Sequence, residues 1–284
     1  MNRNQFEKWD LEITPHRGWF DLRLADLWRY RDLVWLFVQR DFVAYYKQTI
    51  LGPIWYLIQP ILSTLIMTVI FGNIAKLSTD GTPAFLFYLA GNTLWGYFSS
   101  CLTNTSNTFV SNAGLFGKVY FPRLSVPVSI MISQLISFAI RFAVFLIFIF
   151  QTLYSGAEIH PNRMILLLPL LVFLMGGLGL GFGIIVSSLT TKYRDLQQFV
   201  GFGAQLLMYA TPIIFPLSSV QGAWRTVLLL NPLTAIVETF RLGFLGVSAI
   251  DPVWLWYSCG VTILVLFIGL LLFNHVETTF MDTV

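Results

Sequence analysis

Charged residues are scarce in this sequence. Lys and Arg total 17 and Asp and Glu total 14 among 284 residues, so that 11% of the chain is charged while 56% is hydrophobic. Soluble domains carry about 25% charged residues, and the mean hydropathy of +0.72 is too apolar for one. This scarcity excludes a soluble protein and predicts a polytopic membrane protein. The net charge of +3 gives no reason to expect a nucleic-acid partner.

The motifs of enzymes and metal sites are also missing. The phosphate-binding pattern G-x-x-x-x-G-K-[ST] does not occur, because no Gly lies five residues before Gly117 in the pair Gly117-Lys118. The histidines and cysteines are too scattered to form a metal-binding motif: His16, His160, His275, Cys101 and Cys259. We therefore expect no catalytic residue, no metal and no cofactor in this chain, and an energy source on another polypeptide.

Long apolar runs dominate the sequence. A membrane-spanning helix needs roughly 20 predominantly apolar residues. The six predicted spans are residues 54–74, 84–102, 126–150, 164–189, 199–215 and 253–273. Runs such as MILLLPLLVFLMGGLGLGFGII do not alternate between apolar and polar residues, as the strands of a membrane barrel do. The predicted fold is therefore all-α, a polytopic membrane protein with six transmembrane helices.

The basic residues fall mainly on one side of these helices. If the six helices alternate in direction, twelve of the 17 Lys and Arg residues share one side, four lie on the other, and Arg141 lies within a span. Because cytoplasmic loops carry the excess of Lys and Arg, both termini are predicted to be cytoplasmic. The chain then divides into a cytoplasmic N-terminus (1–49), a transmembrane domain (50–275) and a short cytoplasmic tail (276–284).

Residues 21–38 have the pattern of an amphipathic helix on the inner membrane face. One helical arc carries the apolar side chains Leu24, Leu27, Trp28, Val34, Trp35 and Val38. The opposite arc carries most of the charges, although leucines also fall there. The segment is either a lipid anchor or a helix that also binds a cytoplasmic partner.

A polar segment between the second and third spans predicts a short helix near residues 111–118. Leu115 and Phe116, next to Lys118, are apolar residues that we expect to be exposed and to enter a groove of a soluble protein. The alternative is a loop that touches the membrane surface, anchored by Phe121 and Arg123.

The third and fourth predicted spans contain residues that a helix serving only to cross the membrane would not need. Arg141 in the third span continues a polar face of serines spaced four residues apart, and it is predicted either to face a cavity or partner or to extend to the outer surface. In the fourth span the pairs Gly177/Gly181 and Gly179/Gly183 predict close approach of neighbouring helices.

Residues 211–252 are apolar but interrupted by Pro and Gly. This composition predicts a re-entrant hairpin of short helices on the outer side, and such broken helices persist at membrane depth only where they are buried or line water. Glu238 and Arg241, three residues apart, are the charged pair of this segment. A folded outer loop is the alternative.

Several motifs, in order along residues 20–275, resemble the polysaccharide-export permeases of ABC transporters, which move O-antigen, capsule or teichoic acid. The first is the run from Arg40-Asp41 through Tyr46-Lys47-Gln48-Thr49 and Leu51-Gly52 to Trp55 and Pro60. The others are VYFPRLSVP after the second span, KYRDL after the fourth, TPIIFP after the fifth, and NPLTAIVETFRLGFLG before the sixth.

The resemblance implies a homodimer in the bacterial inner membrane with two ATPase subunits beneath it, where ATP and Mg²⁺ would bind. It makes residues 21–38 an interface helix and residues 111–118 a coupling helix, and it makes residues 212–250, with Glu238 and Arg241, the outer gate. The residues assigned to ATPase coupling are Leu115, Phe116, Lys118, Tyr193, Arg194 and Asp195. The implied substrate is a polysaccharide on a lipid carrier.

Further site residues follow for such a substrate. Arg40 and Lys47 are candidates to bind the pyrophosphate of the carrier, although membrane anchoring explains them equally. The channel-lining candidates are Tyr56, Trp95, Tyr97, Phe98 and Arg141. The four aromatic rings suit a channel along which sugars slide, but a lipid-facing aromatic belt is the alternative.

Two other functions fit the same sequence. One is a drug or small-lipid ABC exporter permease. The other is an ATP-independent membrane channel or scaffold, which would need no ATPase partner.

Overall fold

The computed structural model describes residues 24–47, 54–119, 121–156, 159–190, 193, 195–248 and 250–283, and within these ranges there are helices and turns but no strand. The side chains of residues 24–25, 45–47, 56 and 277–283 lie outside the description. The α-helices are α1 (Leu24–Arg29), α2 (Arg31–Lys47), α3 (Trp55–Met67), α4 (Ala84–Ser106), α5 (Thr108–Phe116), α6 (Ser125–Tyr154), α7 (Leu168–Thr190), α8 (Leu196–Tyr209), α9 (Ala223–Leu230), α10 (Pro232–Leu245) and α11 (Val253–Thr283). A π-helix (Thr68–Ile74) continues α3, and 3₁₀ turns occur at Arg163–Leu167, before α7, and at Leu217–Ser219.

The predicted all-helical membrane fold is confirmed, but six spans are not. Among the described residues, four helical stretches are long and apolar enough to cross a membrane: Leu57–Ile74, Ser125–Tyr154, Arg163–Thr190 and Val253–Val276. A fifth candidate is the pair α9 and α10, which meet at 94°. The structure therefore supports four or five apolar spans.

Two of the six predicted spans, which correspond to α4 and α8, are not among these apolar stretches, each for its own reason. Helix α4 has 23 residues, which is long enough, but its polar side chains make it less apolar than the four stretches. Those side chains include Asn92, Thr93, Ser99, Ser100, Thr103 and Asn104. Helix α8 has 14 residues and is about 21 Å long, which is shorter than the roughly 30 Å of a bilayer core.

Helix α4 is the centre of the core, and the glycines of α7 allow it to approach closely. A Cβ atom on Gly179 would lie 2.7 Å from the Cβ of Cys101, and one on Gly183 would lie 2.6 Å from the Cβ of Thr105. On the other face of α7, Gly177 and Gly181 lie equally close to α11. The predicted close approach at both glycine pairs is thus confirmed, and one helix contacts two neighbours through alternate glycines.

The predicted apolar arc of the amphipathic segment is partly buried and partly exposed. Val34, Phe37 and Val38 of α2 are buried, and the ring of Phe37 contacts that of Phe121 at 5.6 Å. Trp28 and Trp35, predicted on the same arc as Val34, are 72% and 56% exposed. Helix α2 packs on α6, so one part of the predicted arc is buried against the bundle and the two tryptophans face outward, while the position of the helix on the membrane surface stays a prediction. The two exposed tryptophans remain available to lipid.

The bundle has two distinct ends. The α5 end, named for helix α5, contains an aromatic cluster from α2, α5, the loop before α6, and α11: Phe37, Phe109, Phe116, Phe121 and Phe273. The far end contains the loops around Asp80, Asn162 and Ser218. There the Ser218 hydroxyl donates to the Asp80 carboxylate at 2.7 Å, and the Asn162 side-chain amide donates to the Leu242 carbonyl at 2.8 Å. Helix α11 extends ten residues past the predicted end at 273, to Thr283.

Candidate functional site

A polar cavity of about 230 Å³ lies between α3, α4 and α6. Its lining residues are Gln59, Pro60, Ser63, Asn92, Trp95, Gly96, Ser99, Ser100 and Arg141. Sequence reasoning had selected only Trp95 and Arg141 of this set. A signal for the others was present, because Asn92, Gly96 and Ser99/Ser100 recur at three- and four-residue spacing and so share one face of α4.

Asn92 fixes the α3 wall of the polar cavity. Its side-chain amide donates to the Ser63 hydroxyl at 2.6 Å, to the Thr64 hydroxyl at 3.1 Å and to the Pro60 carbonyl at 3.3 Å. These contacts fall where Pro60 interrupts the regular hydrogen bonding of α3. Since α3 is mostly exposed along its length, one amide of α4 supplies much of its polar attachment.

Arg141 reaches the polar cavity because Gly96 has no side chain. A Cβ atom on Gly96 would overlap the guanidinium of Arg141, which therefore lies directly on the backbone of α4. Of the two predicted positions for Arg141, the structure places it at a cavity within the helix bundle. A guanidinium at this depth is costly unless polar groups or a ligand surround it.

The aromatic channel-lining candidates do not share one surface. Trp95 lines the polar cavity, and its ring contacts that of Phe98 at 5.3 Å. Phe98 is fully buried and borders a separate apolar cleft between α4, α7 and α8. Tyr97 is buried between Phe138 of α6 and the glycine-rich face of α7. The Tyr56 side chain lies outside the described residues, and a channel-lining role stays a prediction for all four.

Glu238 and Arg241 form a buried ion pair in α10. Their side chains are 2% and 1% exposed, and the Arg241 Nη1 lies 3.2 Å from the Glu238 Oε1. The Ser248 hydroxyl donates to the other oxygen of Glu238 at 2.8 Å. The predicted neighbours are thus brought together, in a site closed to water.

Arg241 also connects α10 to the turn that follows α8. Its guanidinium donates to the carbonyls of Pro212 and of Ile213, the latter at 2.7 Å, and lies 3.7 Å from the ring centre of Phe87 in α4. We call Phe87, Pro212, Ile213, Glu238 and Arg241 the Arg241 cluster. This cluster holds α10 and the turn after α8 against α4, and a gate function for the bent pair α9 and α10 stays a prediction.

The coupling residues on α5 do not all face outward. Phe116 is only 4% exposed and packs against Phe109 and Phe121, so the expectation that it is exposed was wrong. Leu115 is half-buried against the same aromatic cluster. Lys118 is exposed, as are the following residue Val119 and the first part of α5 at Val110, Ser111 and Gly114. The outward face of α5 therefore consists of these small and mixed side chains.

The second predicted coupling segment, which contains Tyr193 and Asp195, lies beside the N-terminal end of α5. The Thr190 hydroxyl donates to the Ser106 carbonyl at 3.3 Å, and the Gln197 side-chain amide donates to that of Asn107. Tyr193 and Asp195 between them are exposed, and Arg194 lies outside the described residues. The structure thus brings the segments 108–118 and 190–197 to the same end of the bundle.

The predicted pyrophosphate-binding residues are described only in part. Arg40 is partly exposed, pairs with the adjacent Asp41 at 2.9 Å and lies 4.9 Å over the ring of Phe37. The Lys47 side chain lies outside the described residues. Among the described residues no group of three His, Cys, Asp or Glu side chains could hold a metal ion. A phosphate-binding role for Arg40 and Lys47 stays a prediction.

Comparisons with known proteins give one consistent result. The sequence model of the family described as ABC-2 type transporter matches residues 32–245. An "O-antigen export system permease protein RfbA" of Klebsiella pneumoniae is 27% identical over 253 residues, covering 88% of this chain and 94% of that protein. The protein of the same name in Myxococcus xanthus is 25% identical, covering 84% and 94%. The "polysialic acid transport protein KpsM" of Escherichia coli is 27% identical, covering 80% and 86%.

Proposed function

This chain belongs to the ABC-2 type transporter family, and from that premise we propose that it is the permease subunit of an ATP-driven exporter of a lipid-linked polysaccharide. The observation that carries the proposal is the similarity, over at least 80% of the chain, to permease and transport proteins named for O-antigen and for polysialic acid. The absence of a phosphate-binding loop from the sequence fits a subunit whose ATPase is a separate polypeptide.

We propose that the exporter contains two copies of this chain and two ABC ATPase subunits in the bacterial inner membrane. The excess of Lys and Arg toward the α5 end supports a cytoplasmic position for that end and for both termini. The far end, with α9 and α10, would then face outward and form the gate. Arg40 and Lys47 would receive the pyrophosphate of the carrier at the cytoplasmic side.

We also propose that the exposed and the buried residues at α5 have different roles. Gly114 on the outward side of α5 and Lys118 in the turn after it, together with Tyr193 and Asp195 of the neighbouring turn, would contact the ATPase. Phe116 would transmit a displacement of α5 to the membrane helices, because it is buried in the aromatic cluster, which packs with aliphatic residues of α6 and α7 in one apolar core. A packed aromatic cluster is a stiff connection between a surface helix and the membrane spans.

Deletion of the gene in a bacterium that displays a surface polysaccharide tests the function. We expect the polysaccharide to disappear from the surface and the lipid-linked polymer to accumulate inside. Complementation should need both this chain and an ATPase subunit with an intact phosphate-binding loop, so a loop variant of that subunit is the matched control.

Two outcomes would contradict the proposal. Unchanged surface polysaccharide after deletion would favour a drug or small-lipid exporter of the same permease class. A purified chain that never retains an ATPase subunit, and that passes polysaccharide through liposomes without ATP, would identify a passive channel or scaffold.

A further inference from the structure

We propose that the polar cavity between α3, α4 and α6 is a binding site for an anionic group of the transported molecule, with Arg141 as its cation. The inference rests on the proposed export function and extends it to the chemistry of one site within the membrane domain. The anionic group is a phosphate or a carboxylate, which a guanidinium binds through charge-assisted hydrogen bonds.

The charge of the lining residues is the first argument. Every residue that lines the polar cavity is neutral except Arg141, so the cavity carries a net positive charge. An anion that enters therefore meets a cation in surroundings of low dielectric, where the attraction is stronger than in water.

The neutral lining residues are the second argument. Gln59 carries an amide donor, and Ser99 and Ser100 carry hydroxyls, all on the walls of the same cavity as the guanidinium. Phosphate and carboxylate oxygens each accept more than one hydrogen bond, so they use such a set more fully than a neutral ligand would. A lipid-facing surface of α3 and α4 would have no use for so many polar groups.

A comparison within the chain is the third argument. A second arginine within the described helices, Arg241, is 1% exposed and is held by Glu238 and two carbonyl oxygens. Arg141 is only partly buried, lies against the bare backbone at Gly96, and borders open volume. The fold thus encloses one arginine completely and presents the other to a cavity.

The size of the cavity limits what enters. At about 230 Å³ it is smaller than the roughly 300–1,000 Å³ of sites for drug-sized ligands. It therefore fits one charged group of a longer molecule. Two sources carry such a group in the proposed substrate, namely the pyrophosphate of the lipid carrier and acidic sugars of the polymer.

Direct binding to the purified complex of this chain with its ATPase, in lipid nanodiscs, tests the proposal. The probes are a polyprenyl pyrophosphate and an oligogalacturonate, with a dextran oligosaccharide of equal length as the neutral probe. We expect Arg141→Gln to weaken binding of at least one anionic probe by about tenfold or more and to leave dextran binding unchanged. The probe that is affected identifies the source of the anion.

Matched variants separate the charge from the fold. Arg141→Lys keeps the charge and is expected to bind more tightly than Arg141→Gln, while Arg163→Gln, an exposed arginine at the far end, is the control for loss of charge alone. Gly96→Ala would displace the guanidinium without removing it and should also weaken binding. If Arg141→Gln is not recovered folded, Gly96→Ala and the pair Ser99→Ala/Ser100→Ala carry the test.

The inference is overturned if Arg141→Gln binds both anionic probes within about twofold of wild type or, should that variant not be recovered, if Gly96→Ala and the Ser99→Ala/Ser100→Ala pair do so. Because binding is measured on purified protein, its outcome is independent of the deletion experiment. Arg141-dependent binding with unchanged surface polysaccharide would reject only the proposed function. Lost surface polysaccharide with Arg141-independent binding would reject only this inference.

Discussion

Removal of the Arg241 side chain tests whether the Arg241 cluster stabilises the packing of α10 on α4 and on the turn after α8. In Arg241→Ala, Glu238 remains as a carboxylate at 2% exposure without its cation, and the carbonyls of Pro212 and Ile213 lose a donor. We expect a large loss of stability, because a buried charge that has lost its partner keeps its desolvation cost and loses the compensating attraction.

The size of the loss follows from the contacts. Removing one partner of a buried ion pair costs about 3–5 kcal/mol. The cation–π contact of Arg241 with Phe87 contributes up to about 2 kcal/mol, part of which that range already includes. We therefore expect about 4 kcal/mol, which corresponds to a fall in Tm of roughly 8–16 °C at about 2–4 °C per kcal/mol.

Thermal unfolding of the purified protein in detergent, followed by tryptophan fluorescence, measures this loss. The double variant Glu238→Gln/Arg241→Met removes both charges and should recover more than half of the loss, because neutral replacements of a buried pair are often well tolerated. Arg163→Ala, at an exposed position, is the control and should change Tm by less than about 2 °C. The reasoning is refuted if Arg241→Ala matches this control, or if the double variant melts no higher than the single one.

Three further predictions concern packing and coupling. Gly179→Leu should lower stability by at least about 3 kcal/mol in the same melt, because even a Cβ there would lie 2.9 Å from a carbonyl oxygen of α4; a variant as stable as wild type would contradict the close packing. Asn92→Leu removes the hydrogen bonds to α3 and should raise hydrogen exchange in α3 with little change in α7. An equal increase in exchange in the two helices would contradict the role of Asn92 in holding α3. Phe116→Ala should cost about 3–5 kcal/mol of stability, whereas Lys118→Glu should leave Tm unchanged and reduce the ATPase recovered on purification; the reverse assignment of effects would disprove the two-sided arrangement of α5.

The polar cavity illustrates what a single sequence reveals about a membrane site. Arg141 was identified from the sequence because an arginine inside an apolar run is costly and therefore conspicuous. Trp95, Tyr97 and Phe98 could not be told apart in the same way, since all three are aromatic residues within one apolar run. The structure separates them, with Trp95 on the polar cavity, Tyr97 against α7 and Phe98 on the apolar cleft.

Helix α5 likewise shows that the sequence predicts an element without showing which of its side chains are buried. The sequence predicted a short helix over residues 111–118, and α5 occupies Thr108–Phe116. It also predicted that Phe116 is exposed, because the segment is polar on average. The aromatic rings of Phe109 and Phe121, distant by seven and five residues, bury Phe116 through a fold that local composition does not reveal.

The sequence by itself determined the all-helical membrane class, the spacing of residues around each helix, the glycine pairs of α7 and the similarity to export permeases. Tertiary structure alone decided how each helix is rotated about its axis, and hence that Arg141 meets Gly96 at a cavity while Arg241 is enclosed with Glu238. The physical reason is that lipid and protein interior are both apolar. Hydrophobicity therefore marks a membrane helix without showing which of its faces contacts lipid, and only packing against neighbouring helices assigns the faces.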